Sequence, residues 1–177
     1  MVTDDGHYLV ITVNQGTDTR NRVFYKDLQK LGSAVEELLN DFDADYTFVD
    51  NDGPVFWFRT DLNAPRGRLI AIDIRKPERA NWKEIIPQAE ETLQSVTIVN
   101  DQFIANYLKD ARSQVKLYGP NGDLLRELVL PGIGSARGFI GKRLKPVALI
   151  DIVRVVVDID RVAGGQVGQR GHPERRP

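Results

Sequence analysis

The sequence contains no cysteine. That absence excludes disulfides, thiolate metal sites and cysteine nucleophiles together. Histidine is almost as scarce: His7 and His172 are the only two, too few for a multi-histidine metal site and little from which to build imidazole catalysis. Neither sign of charge dominates. The 24 basic residues face 25 acidic ones for a net charge of −1, so nothing draws the chain as a whole to nucleic acid or to an anionic membrane. No apolar run approaches the ~20 residues that cross a bilayer, because the longest, Val147 to Ile159, is broken by Asp151, Arg154 and Asp158. The opening Met1-Val2-Thr3-Asp4-Asp5-Gly6 is acidic and lacks the basic-then-apolar order of a signal peptide. These readings predict a cytoplasmic protein with no membrane or nucleic-acid partner, no metal and no cofactor.

What is present suffices for one folded domain: 177 residues, 41% hydrophobic and 28% charged. The charge is unevenly spread. From Lys142 onward eight Lys/Arg stand against four Asp/Glu, leaving 16 of the 24 basic and 21 of the 25 acidic groups to residues 1–141. All fourteen aromatic residues lie between Tyr8 and Phe139. Composition thus changes sharply near residue 143.

Ahead of that break, short β-patterned segments recur between turn residues. They are Tyr8–Val13, Asn21–Leu28, Asp45–Val49, Val55–Arg59, Arg68–Ile74, Trp82–Ile86, Val96–Val99, Phe103–Leu108, Val115–Tyr118 and Leu124–Leu130. Asn51-Asp52-Gly53-Pro54 reads as a hairpin, since Asp-Gly accepts the positive φ of a tight turn. Gly32–Leu39 and Pro87–Thr92 have helix-compatible composition, the first being equally suited to an edge strand. The pattern repeats at 46 residues: Arg22, Arg68 and Gln114 are so spaced, as are Asp27 and Asp73, and Ile11, Trp57 and Phe103. A period in the 40s with about four strands per unit is the signature of β-propeller blades, which must stack to bury both faces of each sheet. The bland alternative is a β-sandwich with evenly spaced strands.

The residues also carry a family resemblance. Leu9-Val10-Ile11-Thr12-Val13-Asn14-Gln15-Gly16-Thr17-Asp18 with Asn21-Arg22-Val23-Phe24-Tyr25-Lys26-Asp27-Leu28 resembles the N-terminal propeller of prolyl oligopeptidases. So does Phe56-Trp57-Phe58-Arg59-Thr60-Asp61-Leu62-Asn63-Ala64-Pro65, with Arg68–Asp73 and Trp82–Pro87 after it. Tyr107–Ala111 and Gly134–Phe139 extend the likeness, which covers roughly residues 7 to 143. The resemblance implies a serine peptidase with a Ser-Asp-His hydrolase domain that cuts short peptides after proline, capped by a seven-bladed propeller that keeps large folded substrates out. This chain would supply about three four-stranded blades of that propeller and none of the hydrolase domain.

The chemistry-bearing residues agree with that division. The family's nucleophile belongs in Gly-x-Ser-x-Gly, and none of Ser33, Ser95, Ser113 and Ser135 has glycine at both flanking positions. His7 opens a strand and His172 lies in a Gly/Arg/Pro-rich tail, so neither is placed as a base. Gly132-Ile133-Gly134-Ser135-Ala136-Arg137-Gly138 sets its third glycine one residue late for a dinucleotide fingerprint and reads as an inter-blade connection. Asp50-Asn51-Asp52-Gly53 lacks the acid a calcium loop needs at Phe48 and reads as a turn. Glu36-Glu37 and Glu90-Glu91 read as solvated pairs, and Arg170, Arg175 and Arg176 as a frayed end. No catalytic, cofactor or metal residue is expected.

After Gly141-Lys142-Arg143 the likeness stops, with Leu144-Lys145-Pro146, an Ile/Val run and the Gly/Arg/Pro-rich end. The sequence therefore predicts an all-β chain. Residues 1–143 are a partial β-propeller, and 144–177 a divergent, poorly ordered tail produced by a change of reading frame. Its expected role is the non-catalytic, substrate-gating part of a prolyl-oligopeptidase-like serine endopeptidase, with short peptides as partners and self-association through open blade edges. The alternative is a stand-alone module that binds peptides or proteins without enzymatic function.

Overall fold

The computed structural model describes residues 1–130, 134–140 and 154–158. Within each sheet every strand pairs antiparallel with its neighbour in the chain, so among the described residues no sheet contains a crossover. The first sheet holds β1 (Tyr8–Asn14), β2 (Asn21–Asp27) and β3 (Glu36–Leu39). The second holds β4 (Tyr46–Asp52), β5 (Val55–Thr60), β6 (Arg68–Asp73) and β7 (Lys83–Ile86). β8 (Thr92–Val99), β9 (Gln102–Lys109), β10 (Arg112–Tyr118) and β11 (Leu124–Leu128) make the third. A fourth sheet pairs β12 (Ser135–Ile140) with β13 (Arg154–Asp158). The expected partial β-propeller is the fold observed, and it extends beyond three blades. In the first sheet the inner strand is replaced by a short piece of chain: Val2 bridges Leu9, the Met1 amine donates to the Val10 carbonyl at 2.7 Å, and Val10 N–H donates back to Met1 at 2.8 Å.

Neither helix-compatible segment is helical. Glu36–Leu39 is the outer strand β3, and Pro87–Thr92 is irregular chain that ends in β8. The second segment has to run from the outer strand β7 to the inner strand β8. Crossing four strands takes about 14 Å at ~4.8 Å per step, whereas six helical residues rise only about 9 Å. Distance overrides propensity. Asp52-Gly53 closes the β4–β5 hairpin as its composition demands, Gly53 taking φ +53°. Within the Ile/Val run, Arg154–Asp158 forms β13; the rest of the tail lies outside the described residues.

The 46-residue period is correct on one strand of each blade and one short on another. Val23, Leu69 and Val115 are wholly buried, 46 apart, and face the next sheet from β2, β6 and β10. Their cross-strand partners are Thr12, Arg59 and Asn106, which are 47 apart. Because strand side chains alternate faces, a one-residue slip reverses direction. Trp57 and Phe103, spaced by 46, are therefore not equivalent. They face each other across a seam with ring centroids 5.4 Å apart and planes at 84°.

Three apolar clusters occupy the three seams. Val10, Val23, Tyr25, Phe56, Phe58 and Ile72 join the first two sheets. Trp57, Leu69, Leu93, Phe103 and Tyr107 join the second and third. Ile104, Val115, Leu117, Ala136 and Phe139 join the third and fourth. The last cluster corrects the reading of Gly132–Gly138. From Ser135 that segment is strand rather than connection, because Ala136 and Phe139 are needed under β9 and β10, at 1% and 6% exposure.

Candidate functional site

At each seam one residue of the incoming inner strand has both of its backbone groups held by the preceding sheet. Tyr46 N–H donates to Asn21 Oδ1 at 3.0 Å, and Asn21 Nδ2 donates to the Tyr46 carbonyl at 3.1 Å. Leu93 N–H donates to the Arg66 carbonyl at 2.7 Å, while Arg59 Nε donates to the Leu93 carbonyl at 2.8 Å. Ala136 N–H donates to Ser113 Oγ at 2.9 Å, and Asn106 Nδ2 donates to the Ala136 carbonyl at 3.1 Å. A strand entering a new sheet would otherwise bury unpaired groups at its first turn. Arg59 is further fixed by Asp45 at 2.6 Å.

These clamps bring the inner strands together: β4 approaches β8, and β8 approaches β12. With the Met1–Asp4 segment they border a cavity of about 240 Å³, lined among others by Val2, Asp4, Phe48, Asp50, Thr97 and Phe139. A second opening of about 550 Å³ lies between the second and third sheets, with Trp57, Ile85 and Phe103 on its floor and Lys83 and Glu84 at its side. Small-molecule sites are typically concavities of about 300–1,000 Å³ with mixed apolar and polar walls, a size the second opening reaches and the first does not. Among the described residues lining either one there is no serine and no histidine.

Two of the four serines hold backbone groups. Ser33 Oγ donates to the Asp27 carbonyl, Ser113 holds Ala136, Ser95 is exposed on β8, and Ser135 opens β12. His7 is half exposed and lies 3.7 Å from Asp5; His172 lies outside the described residues. Among the described residues no serine hydrogen-bonds a histidine, and no group of three acidic or histidine side chains is arranged to hold a metal ion.

Two acidic pairs read as solvated are only half so. Glu91 takes hydrogen bonds from Lys109 Nζ at 3.0 Å and Lys116 Nζ at 3.4 Å with a side chain 14% exposed, and Glu36 accepts from the Tyr25 hydroxyl at 2.6 Å. Those partners sit many residues away, beyond reach of a local sequence pattern. Lys109 holds the Glu91 carboxyl below its ordinary value, burial opposing it. At Asp5 burial pushes the carboxyl up, yet the Thr3 hydroxyl, His7 N–H and Asn51 amide outweigh it. At Asp43 burial is outweighed in the same way by Arg79 and the Tyr46 hydroxyl. A carboxylate depressed in the folded state stabilises fully above its unfolded value, about 4, and loses that contribution as pH falls through the folded value. The thermal midpoint is therefore expected to be level from pH 7 to about 5 and to drop below about 4. Glu91→Gln should flatten part of that acid limb, as followed by circular dichroism; an unchanged limb would remove Glu91 from the account.

Sheets ordered consecutively along the chain, clamped at every seam and bordering a cavity with their inner strands, define a propeller domain. The sequence matches the family described as prolyl oligopeptidase, N-terminal beta-propeller domain, over residues 1–152, past Arg143. The chain belongs to that family. It is 37% identical over 142 residues to the prolyl endopeptidase of Elizabethkingia meningoseptica, an alignment covering 80% of this chain and 20% of that protein. To prolyl oligopeptidase A of Galerina marginata it is 30% identical over 140 residues, 76% of this chain and 19% of the relative. Among solved structures, one from a mechanistic study of two prolyl endopeptidases superposes with a TM-score of 0.72 at 32% identity, over 80% of this chain and 21% of that one. The apo form of Galerina marginata prolyl oligopeptidase B gives 0.71 at 28% identity, over 77% and 20%. The chain thus spans about a fifth of the length of the curated relatives it matches.

Proposed function

We propose that this chain is the non-catalytic, substrate-gating propeller portion of a prolyl-oligopeptidase-like serine endopeptidase, which hydrolyses short peptides after proline. The observation that carries the reading is the family match over residues 1–152. The cavity bordered by the inner strands supports it, being far too small to admit a folded protein. In this reading residues 1–143 are the propeller part, residues 144–177 are a divergent tail, and the protein works in the cytoplasm. The chain alone is expected not to hydrolyse a proline-containing chromogenic peptide. Turnover that survives removal of host peptidases and is blocked by a serine-directed inhibitor would overturn this.

The opening of about 550 Å³ between the second and third sheets favours a second reading, a stand-alone module that binds peptide side chains over Trp57 and Phe103. The DNA downstream of the Arg143 codon separates the two. Hydrolase motifs in another frame support the peptidase portion, and their absence supports the module.

A further inference from the structure

The opening between the second and third sheets does not end at Trp57 and Phe103. A smaller recess of about 310 Å³ adjoins it, with Val55, Ala71 and Lys83 common to both and Lys76 and Asn81 added to its lining. The strand register explains why these residues meet. Trp57, Ala71 and Lys83 lie directly opposite one another across β5, β6 and β7, and Asp52, Val55 and Asp73 form the next row across β4, β5 and β6. Facing residues of an antiparallel ladder share a face of the sheet. Both rows therefore look toward the third sheet, as the contact of Trp57 with Phe103 requires.

Charge is sorted along this cleft. Towards β7 stand the ammonium groups of Lys76 and Lys83, neither of which forms an ion pair with a described residue. The acids on the same stretch are engaged, Asp73 by Arg75 at 2.6 Å and Glu84 by Arg68 at 2.9 Å. Towards the inner strands stand two carboxylates, Asp52 at the end of β4 and Asp101 in the β8–β9 turn. Between the two poles Val55, Trp57, Ile98 and Phe103 make an apolar floor. Asp52 and Lys83 are three strand spacings and one two-residue step apart, about 16 Å.

The walls are built in. The connection that carries Lys76 is braced by its N–H donating to the Asp73 carbonyl at 2.8 Å, and by Asn81 Nδ2 donating to the Lys76 carbonyl at 3.3 Å. Gly122, at φ +87°, lets the β10–β11 turn rest on the Ile85 carbonyl, where any Cβ would collide with that oxygen. The turn so held brings Pro120 and Asn121 to the rim.

We propose that this cleft binds a short apolar peptide by both of its ends: the terminal carboxylate on Lys76 and Lys83, the terminal amine on Asp52 and Asp101, and the side chains over Trp57 and Phe103. Opposite charge at the two poles and the distance between them select this ligand. An extended chain advances about 3.3–3.6 Å per residue, so four residues reach about 14 Å and the lysine stems cover the remainder. The inference rests on the second reading above, whose opening it shares, and adds to it the demand for free peptide ends.

Calorimetric titration of the full chain with the tetrapeptide Ala-Leu-Leu-Ala, its C-terminal amide and its N-acetyl form tests this. The free peptide is expected to bind at least about tenfold tighter than either capped form, the worth of one charge-assisted contact. The double variant K76M/K83M, altered at two exposed positions, keeps the apolar stems and removes the charge. It is expected to bind the free and amidated peptides alike while still favouring the free amine over the acetylated one. Lys30→Met, exposed in the β2–β3 connection, is the control and should bind as the unmodified chain does. Equal affinity for the free peptide and either capped form would overturn the proposal and leave the second reading standing. A preference for the free carboxylate that survives in K76M/K83M would overturn it as well, by placing the peptide elsewhere. No binding of any of the three peptides at millimolar concentration would overturn the proposal and the second reading together.

Discussion

Phe56→Ala is expected to cost about 3–5 kcal/mol, the usual range for emptying a core aromatic site. Phe56 is wholly buried at the first seam, with ring centroids of Tyr8, Phe48 and Tyr25 at 5.1, 5.5 and 5.8 Å, all edge-on. Truncation removes the ring around which the others are arranged, and β-strands on both sides are too constrained by their ladders to collapse into the gap. Against a total domain stability of about 5–15 kcal/mol, the variant should be largely unfolded at mild denaturant concentrations. Urea titration followed by the fluorescence of Trp57, which is 8% exposed, reads this directly. A midpoint close to that of the unmodified chain would mean that the first seam contributes little to cohesion.

Asn21→Ala is expected to follow closely, by a different route. Asn21 is 5% exposed, and its amide satisfies both the N–H and the carbonyl of Tyr46. Alanine leaves two buried backbone groups unpaired, each costing on the order of 1–3 kcal/mol. Because the damage is confined to the entry of β4, hydrogen exchange should show early opening of Tyr46 while Val115 and Leu117 on β10 stay protected until global unfolding. Asp18→Ala, which removes an exposed ion pair with Arg20 and the turn hydrogen bond from the Arg20 N–H, is the matching control and should leave the midpoint nearly in place. Uniform loss of protection across all sheets in Asn21→Ala would show that the seams open together rather than one at a time.

The strands themselves were legible because alternation, β-branched residues and Asp-Gly turns are local signals. The repeat was legible because each sheet reuses the same positions on its third strand, such as Val23, Leu69 and Val115. The facing of β1, β5 and β9 was not, since a period of 47 against 46 is set by how each loop returns the chain to its neighbour. Arg59 and Asn106, two of the clamping side chains, carried no sequence signal. An arginine and an asparagine at equivalent places share no residue type, only the ability to donate to a carbonyl. Glu91 was hidden for a related reason: its two lysines come from β9 and β10, 18 and 25 residues away. The absence of a serine elbow could be read at once, because that motif is contiguous.

The clamps have a consequence for how such a domain is assembled over time. Each grips main-chain atoms and ignores the side chain attached to them, so the gripped position is a tyrosine in one sheet, a leucine in the next and an alanine in the third. A newly duplicated sheet can therefore be accepted at any seam before its own sequence has adapted. The receiving position is then free to drift, and the selective burden stays with the few donors that reach forward from the sheet already in place.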